Sequence, residues 1–160
     1  MTNSLHPAKR LGAALFTVLL LCALVFRTDA AAPLKVGVGF WKENSSKSAL
    51  INDGVDTDRQ ATLIRQTNGT FTLELPIRQF SVLQVSGSMT GITIGDITYS
   101  GTVTGDPANG TGILTIENLP ASVLTGSDPN KALLVTCTLQ TNSALLGEVS
   151  QVARMCIWVQ

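Results

Sequence analysis

Residues 60–76 read QATLIRQTNGTFTLELP. Gln60 to Gln66 and Thr70 to Pro76 are short apolar-alternating runs, and Asn68-Gly69 stands between them. Both central residues of a type I′ turn need positive φ, so an Asn-Gly pair between such runs is the strongest short-range hairpin signal. The segment predicts a β-hairpin.

The same punctuation recurs on either side. Lys35 to Lys42 (KVGVGFWK) alternates, with Val36 and Val38 on one face. Phe80 to Val85, Gly91 to Tyr99, Gly112 to Glu117, Leu133 to Gln140 and Val152 to Val159 follow, each broken from the next by Gly, Asn, Asp or Pro. Thr, Val and Ile dominate these runs, as suits a pleated, half-buried surface. About eight short strands at turn-punctuated spacing predict an all-β immunoglobulin-like β-sandwich. Two stretches break the pattern. Residues 45–58 (SSKSALINDGVDTD) predict one helical or 3₁₀ turn around Ser48 to Asn52, and Thr141 to Gln151 is a longer connection between the last two strands. Loops on a rigid sandwich are where binding usually sits; the alternative is that both are solvated connections.

Upstream of the first run the chain reads as an export signal. Lys9 and Arg10 precede an apolar run of sixteen residues, Leu11 to Phe26, and small residues follow to Ala32. The run is shorter than the ~20 residues a spanning helix needs. The expected division is a signal peptide over 1–32, with an uncleaved anchor as the alternative, and a single domain over 33–160. Cys22 is a poor lipidation candidate, since Leu19, Leu20 and Leu21 precede it where a small residue is expected. The expected location is secreted or cell-surface, with membrane contact only through the N-terminal segment.

Removing residues 1–32 removes His6, the only histidine. What is left carries eight Lys or Arg against ten Asp or Glu, a net charge of about −2. So few cations build no basic surface, which argues against a nucleic-acid partner. Without histidine the commonest general base and the commonest metal ligand are gone, and no Ser-His-Asp or Cys-His arrangement can be assembled. Asp53, Asp56 and Asp58 share a Gly-containing loop, but they lack the ordered twelve-residue calcium pattern with its closing glutamate. The expectation is a binding protein, not an enzyme. Asn44, Asn68 and Asn109 open glycosylation sequons, which matter only in a eukaryotic secretory pathway.

Two cysteines are left, Cys137 and Cys156, in the last two predicted strands. In an oxidising compartment, and with those strands paired as a hairpin, a Cys137–Cys156 disulfide is expected. Phe40, Trp41, Met89, Met155 and Trp158 are the large apolar residues to place. They are core residues on one reading, and on the other some line an apolar cleft for a flat ligand. A thioether also ligates haem iron, which singles out Met155.

With the strands placed, the order from Leu34 to Tyr99 resembles the near-transporter family of Gram-positive surface proteins, especially its haemoglobin-interacting branch. The matching features are a first strand ending Phe40-Trp41-Lys42, a Ser48-Ala49-Leu50 turn, an Ala61-Thr62-Leu63 strand and the Asn68-Gly69 hairpin into Phe71-Thr72-Leu73. Met89-Thr90-Gly91 then runs into Ile92 to Tyr99. The resemblance implies an immunoglobulin-like sandwich holding haem, or binding a haemoprotein, between the turn at Ser48 to Asn52 and the hairpin from Leu133 to Val159. The family's usual iron ligand is a tyrosine in the final strand. Val152 to Gln160 contains none, and the single tyrosine, Tyr99, lies earlier. Met155 is then the candidate iron ligand, Ser48 a propionate donor, and Trp41, Leu50, Ile51 and Met89 the apolar contacts. A structural or adhesive surface domain that binds a protein partner through a sheet edge or loops is the competing expectation.

Overall fold

The computed structural model describes residues 32–82 and 84–160. The reading of a signal segment rests on residues 1–31 and so lies outside the described residues, as do His6 and Cys22.

Nine strands form: β1 (Leu34–Lys42), β2 (Ala61–Arg65), β3 (Phe71–Ile77), β4 (Phe80–Val82), β5 (Val85–Ile94), β6 (Ile97–Thr104), β7 (Gly112–Leu119), β8 (Leu133–Thr141) and β9 (Glu148–Val159). Their hydrogen-bonded order runs β5-β6-β7-β3-β2-β1-β9-β8, and β8 then pairs back onto β5. The result is a closed eight-stranded antiparallel barrel, with β4 added outside the closure along the start of β5. The expected immunoglobulin-like sandwich is therefore wrong. A sandwich needs two separate sheets with free edges; here β1 pairs with β2 on one side and β9 on the other, and the β5–β8 ladder removes the last edge of the ring. Closure requires strands to bend, and two bulges supply bends. Thr90 is the extra residue of β5 opposite β8, and β7 carries one opposite β3, where Asn118 adopts φ 60°.

The opening hairpin forms as expected, with Leu63 opposite Leu73. Its turn differs. The Gly69 N–H bonds the Gln66 carbonyl, and Gly69 alone takes positive φ (84°), so Thr67 and Asn68 make the turn and Gly69 follows it. Asn68 instead uses its side-chain oxygen, which accepts from the Thr70 N–H and hydroxyl. The run from Gly91 to Tyr99 is not one strand. Ile94 faces Ile97 across Gly95-Asp96, a two-residue loop whose first residue has positive φ, as a type II′ hairpin demands. This hidden turn creates β6. Phe80 to Val85 likewise divides between β4 and β5.

Alternation then decides what is inside. Val36 and Phe40 of β1, Leu73 and Leu75 of β3, Leu114 and Ile116 of β7, and Ala153, Met155 and Ile157 of β9 point inward and are buried. Each large side chain so buried contributes about 1.5–3 kcal/mol.

Cys137 and Cys156 are both free, which corrects the expected disulfide. Cys137 faces Gln151 across the β8–β9 ladder, five residues from Cys156 along β9. At about 3.3 Å per residue that is roughly 16 Å, far beyond disulfide reach. Their sides also differ: Cys137 points into the barrel, whereas Cys156 points outward, where its thiol meets the Asp128 carbonyl at 3.3 Å.

Candidate functional site at the barrel mouth

The two ends of the barrel are covered differently. The connection from β7 to β8 folds across one end and lowers Val123 into it; Leu124 bridges to Ile157, and Phe71 and Leu119 complete a buried plug. At the other end, the connection after β1 carries a 3₁₀ turn, Leu50–Gly54. Ile51 descends from this turn into the core and is fully buried, while Leu50 stays 40 % exposed.

Asn52 anchors that turn. Its Oδ1 accepts from the Phe40 N–H at 2.9 Å and its Nδ2 donates to the Phe40 carbonyl, so one side-chain amide takes the place of a neighbouring strand at the end of β1. Nδ2 also donates to the Ser48 hydroxyl at 2.7 Å. Gly54 continues the seam, its carbonyl accepting from the Arg78 N–H just beyond β3.

Between this turn, the β4–β5 hairpin and the β8–β9 hairpin lies an open cavity of about 370 Å³. Leu50 forms one wall. Phe80, Val82 and Val85 form the second, and Leu139, Leu146 and Val149 the third. The lining is almost wholly apolar, and its volume falls in the range of small-molecule sites, roughly 300–1,000 Å³. The Leu145 and Leu146 side chains stand 98 % and 52 % exposed at the tip of the β8–β9 hairpin beside it.

Four polar residues, Ser86, Thr141, Ser150 and Gln151, also belong to the lining. Gln151 follows Val149 on the inward face of β9, and its Oε1 is buried without a hydrogen-bond partner, alone among the buried side-chain N and O atoms of the described residues. Leaving a buried acceptor unpaired costs about 1–3 kcal/mol.

The residues singled out from sequence are dispersed by the barrel. Leu50 is on the cavity wall, and the two elements expected to flank a ligand, the turn at Ser48 to Asn52 and the last hairpin, do face one another across it. Ile51 and Met89 are core residues. Met155 is fully enclosed, opposite Phe40 and Leu133. Ser48 is exposed and occupied by Asn52. Trp41 lies on the outer surface with its ring against Gly39, while the neighbouring Trp158 ring lies against Gly37.

Elsewhere the chemistry is sparse. Asp56 accepts from the Asp58 N–H and pairs with Arg59 at 3.7 Å, while Arg59 also donates to the Gly110 and Gly112 carbonyls. The Asp56 carboxylate thus braces a loop, and among the described residues no three His, Cys, Asp or Glu gather as metal ligands. Burial pushes the Cys137 thiol up to about 12, which keeps it protonated inside the barrel.

Compared with known proteins, the chain matches no protein-family model and no curated protein.

Proposed function

We propose that this chain is an exported, non-catalytic binding barrel that takes a small apolar ligand at its mouth, between Leu50, the β4–β5 hairpin and the β8–β9 hairpin. The observation that carries the reading is the apolar cavity of about 370 Å³, open to solvent at one end of a barrel whose other end is plugged. Apolar walls left open in water are costly, and covering them is the driving force available to a ligand. The export setting rests on the basic and then apolar N-terminus, Lys9 to Phe26.

Haem fits this reading only in a restricted form. Met155 lies in the core, not on the cavity wall, so its thioether reaches iron only if the barrel opens. Hemin taken at the mouth is then held by apolar contacts with Leu50 and its neighbours. The competing reading, a protein partner held at a sheet edge or loops, finds among the described residues the three-residue β4 as a terminal strand beside this ring.

The test is a titration of the full chain with N-phenyl-1-naphthylamine, whose fluorescence rises in apolar surroundings. A saturable rise is expected, weakened at least about tenfold in Val149→Trp, where an indole fills the cavity. No rise, or a rise unchanged by Val149→Trp in a variant that retains its far-ultraviolet spectrum, would sink the proposal.

A further inference from the structure

We infer that the barrel wall holds a second site, apart from the mouth: a gap between β1 and β2 that takes a primary carboxamide, with the Val38 N–H and C=O as its two partners.

The ladder makes the gap. β1 and β2 pair over Leu34, Lys35 and Val36 alone. The chain leading into β2 follows β3 instead, where Val55 bridges Ile77 and the Asp56 N–H bonds the Pro76 carbonyl. In an antiparallel strand, successive residues turn both backbone groups toward opposite edges. The Gln160 N–H bonds the Lys35 carbonyl, so the odd-numbered residues of β1 bond toward β9 and the even-numbered ones toward the β2 side. Of the latter, Val36 pairs with Ala61, and its carbonyl also accepts from Gln60 Nε2 at 2.9 Å. Phe40 is met by the Asn52 carboxamide. Val38, between them, bonds no described residue on this edge. A cavity of about 370 Å³ opens there, with Gly37, Val38, Val55, Asp58, Gln60 and Trp158 in its lining. Gly37 has no side chain, so the cavity reaches the β1 backbone itself.

The occupant follows from what this edge already binds. Asn52 Oδ1 accepts from the Phe40 N–H while Nδ2 donates to the Phe40 carbonyl, because a primary carboxamide offers an acceptor and a donor on one side. A trans peptide bond points its C=O and N–H in opposite directions and meets only one of the two groups. A carboxylate would set an oxygen against the Val38 carbonyl, in a cavity that Asp56 and Asp58 also line. An added strand would have to displace Gln60 and Asn52, which hold the edge at Val36 and Phe40, roughly 13 Å apart. Water in the open cavity meets the Val38 groups in the free chain. A carboxamide replaces those bonds one for one, and its apolar body rests on Val55 and Trp158.

The experiment follows backbone amides of the full chain by nuclear magnetic resonance as benzamide, N-methylbenzamide or benzoate is added. In the free chain the Val38 N–H is expected to exchange on the order of tenfold faster than those of Gly37 and Gly39, which bond toward β9. Benzamide is expected to shift the Val38 signal saturably and to slow its exchange. N-methylbenzamide, a trans amide, and benzoate are expected to bind about tenfold more weakly. N-acetylglutamine methylamide carries the same group on a peptide; tighter binding than benzamide supports the site with a peptide side chain as its source, and weaker binding supports it with a free carboxamide. Val38→Pro removes the N–H at an edge position that proline tolerates, and is expected to weaken benzamide at least about tenfold, read at the Trp158 indole N–H. The comparison of benzamide with N-methylbenzamide uses the unaltered chain, and decides the question whether or not the proline variant folds. A Val38 N–H as protected as Gly37 and Gly39 in the free chain overturns the inference, because the edge is then already closed. Equal affinity for benzamide and N-methylbenzamide, or undiminished benzamide binding in a folded Val38→Pro, overturns it as well.

Discussion

The two ends of the barrel are built from the same parts and finish differently. Each is crossed by a connection bearing a 3₁₀ turn, Ala121–Val123 at one end and Leu50–Gly54 at the other. At the plugged end the apolar side chains that enter the barrel from the covering connection are spent on the core: Leu119 and Val123 are fully buried, while Leu34, Ile97, Leu134 and Val159 stay exposed on the strand ends around them. At the mouth Ile51 is spent in that way, but Leu50, Val82 and Leu146 keep more than a third of their surface in water. The polar accounts differ as well, because among the described residues the one buried side-chain N or O atom without a partner, Gln151 Oε1, belongs to the mouth. An end that merely needed sealing would look like the first. On the proposed reading, the second leaves Leu50, Val82 and Leu146 for a ligand to cover.

That contrast can be broken by mutation, and the largest effect belongs to the plugged end. Leu119→Ala deletes a fully buried side chain that stands opposite Phe71 in the β3–β7 ladder, and it should cost about 2–5 kcal/mol in urea unfolding. Probe binding at the mouth should be unchanged under conditions where the variant is folded. If Leu119→Ala weakened binding as much as stability, the two ends would be one coupled unit and the distinction would be false.

Asn52→Ala comes next. It leaves the Phe40 N–H without its partner, at a cost of about 1–3 kcal/mol, and it frees the turn that carries Leu50. Amide exchange should accelerate over residues 48–55 while β7 and the plugged end remain protected. Asn52→Asp, which keeps the Oδ1 acceptor for Phe40, should recover part of the loss. Equal acceleration at both ends would show that Asn52 supports the whole barrel and not the mouth.

Much of this architecture was legible before any coordinates. Strand identity came from alternation, which is local; β1, β2, β3 and β8 fall within a residue or two of their expected bounds. Closure was not legible, because it depends on β8 meeting β5 and β1 meeting β9, pairings between segments far apart in sequence that no window of residues reports. The Gly95-Asp96 turn is the local signal for part of it. Reading it as a break between strands adds β6, the strand that links β5 to β7 in the closed ring. The cysteine pairing failed for a related reason. Two cysteines in adjacent strands look bridgeable until register and facing are known, and a position on the opposite face of a strand reverses the side chain's direction. At the site, the sequence pattern marks the turn at Ser48 to Asn52 and the last hairpin as flanking elements, whereas Gln151 falls at the end of the Thr141 to Gln151 connection. Extending the last strand backward from Val152 would have put Gln151 in the inward series with Ala153, Met155 and Ile157, as a polar residue in an apolar row. That is the kind of local inconsistency that marks functional positions.

The smallest predicted stability change sharpens the contrast most. Leu146 lines the cavity yet is 52 % exposed, so Leu146→Ser removes little buried surface and should shift unfolding by no more than about 0.5 kcal/mol. A residue kept for stability would then be without effect. A residue kept for binding would not, because the ligand, and not the folded protein, completes its burial. Probe affinity should therefore fall severalfold, by about the transfer free energy of the lost isobutyl surface that the ligand covers. The same substitution logic applied to Val123 gives the reverse ratio, a large stability loss with unchanged affinity. Measured side by side, Leu146→Ser and Val123→Ala separate the residues that hold this barrel together from those that wait for a ligand. Parallel losses in both quantities for both variants would mean that the mouth is only a poorly sealed end.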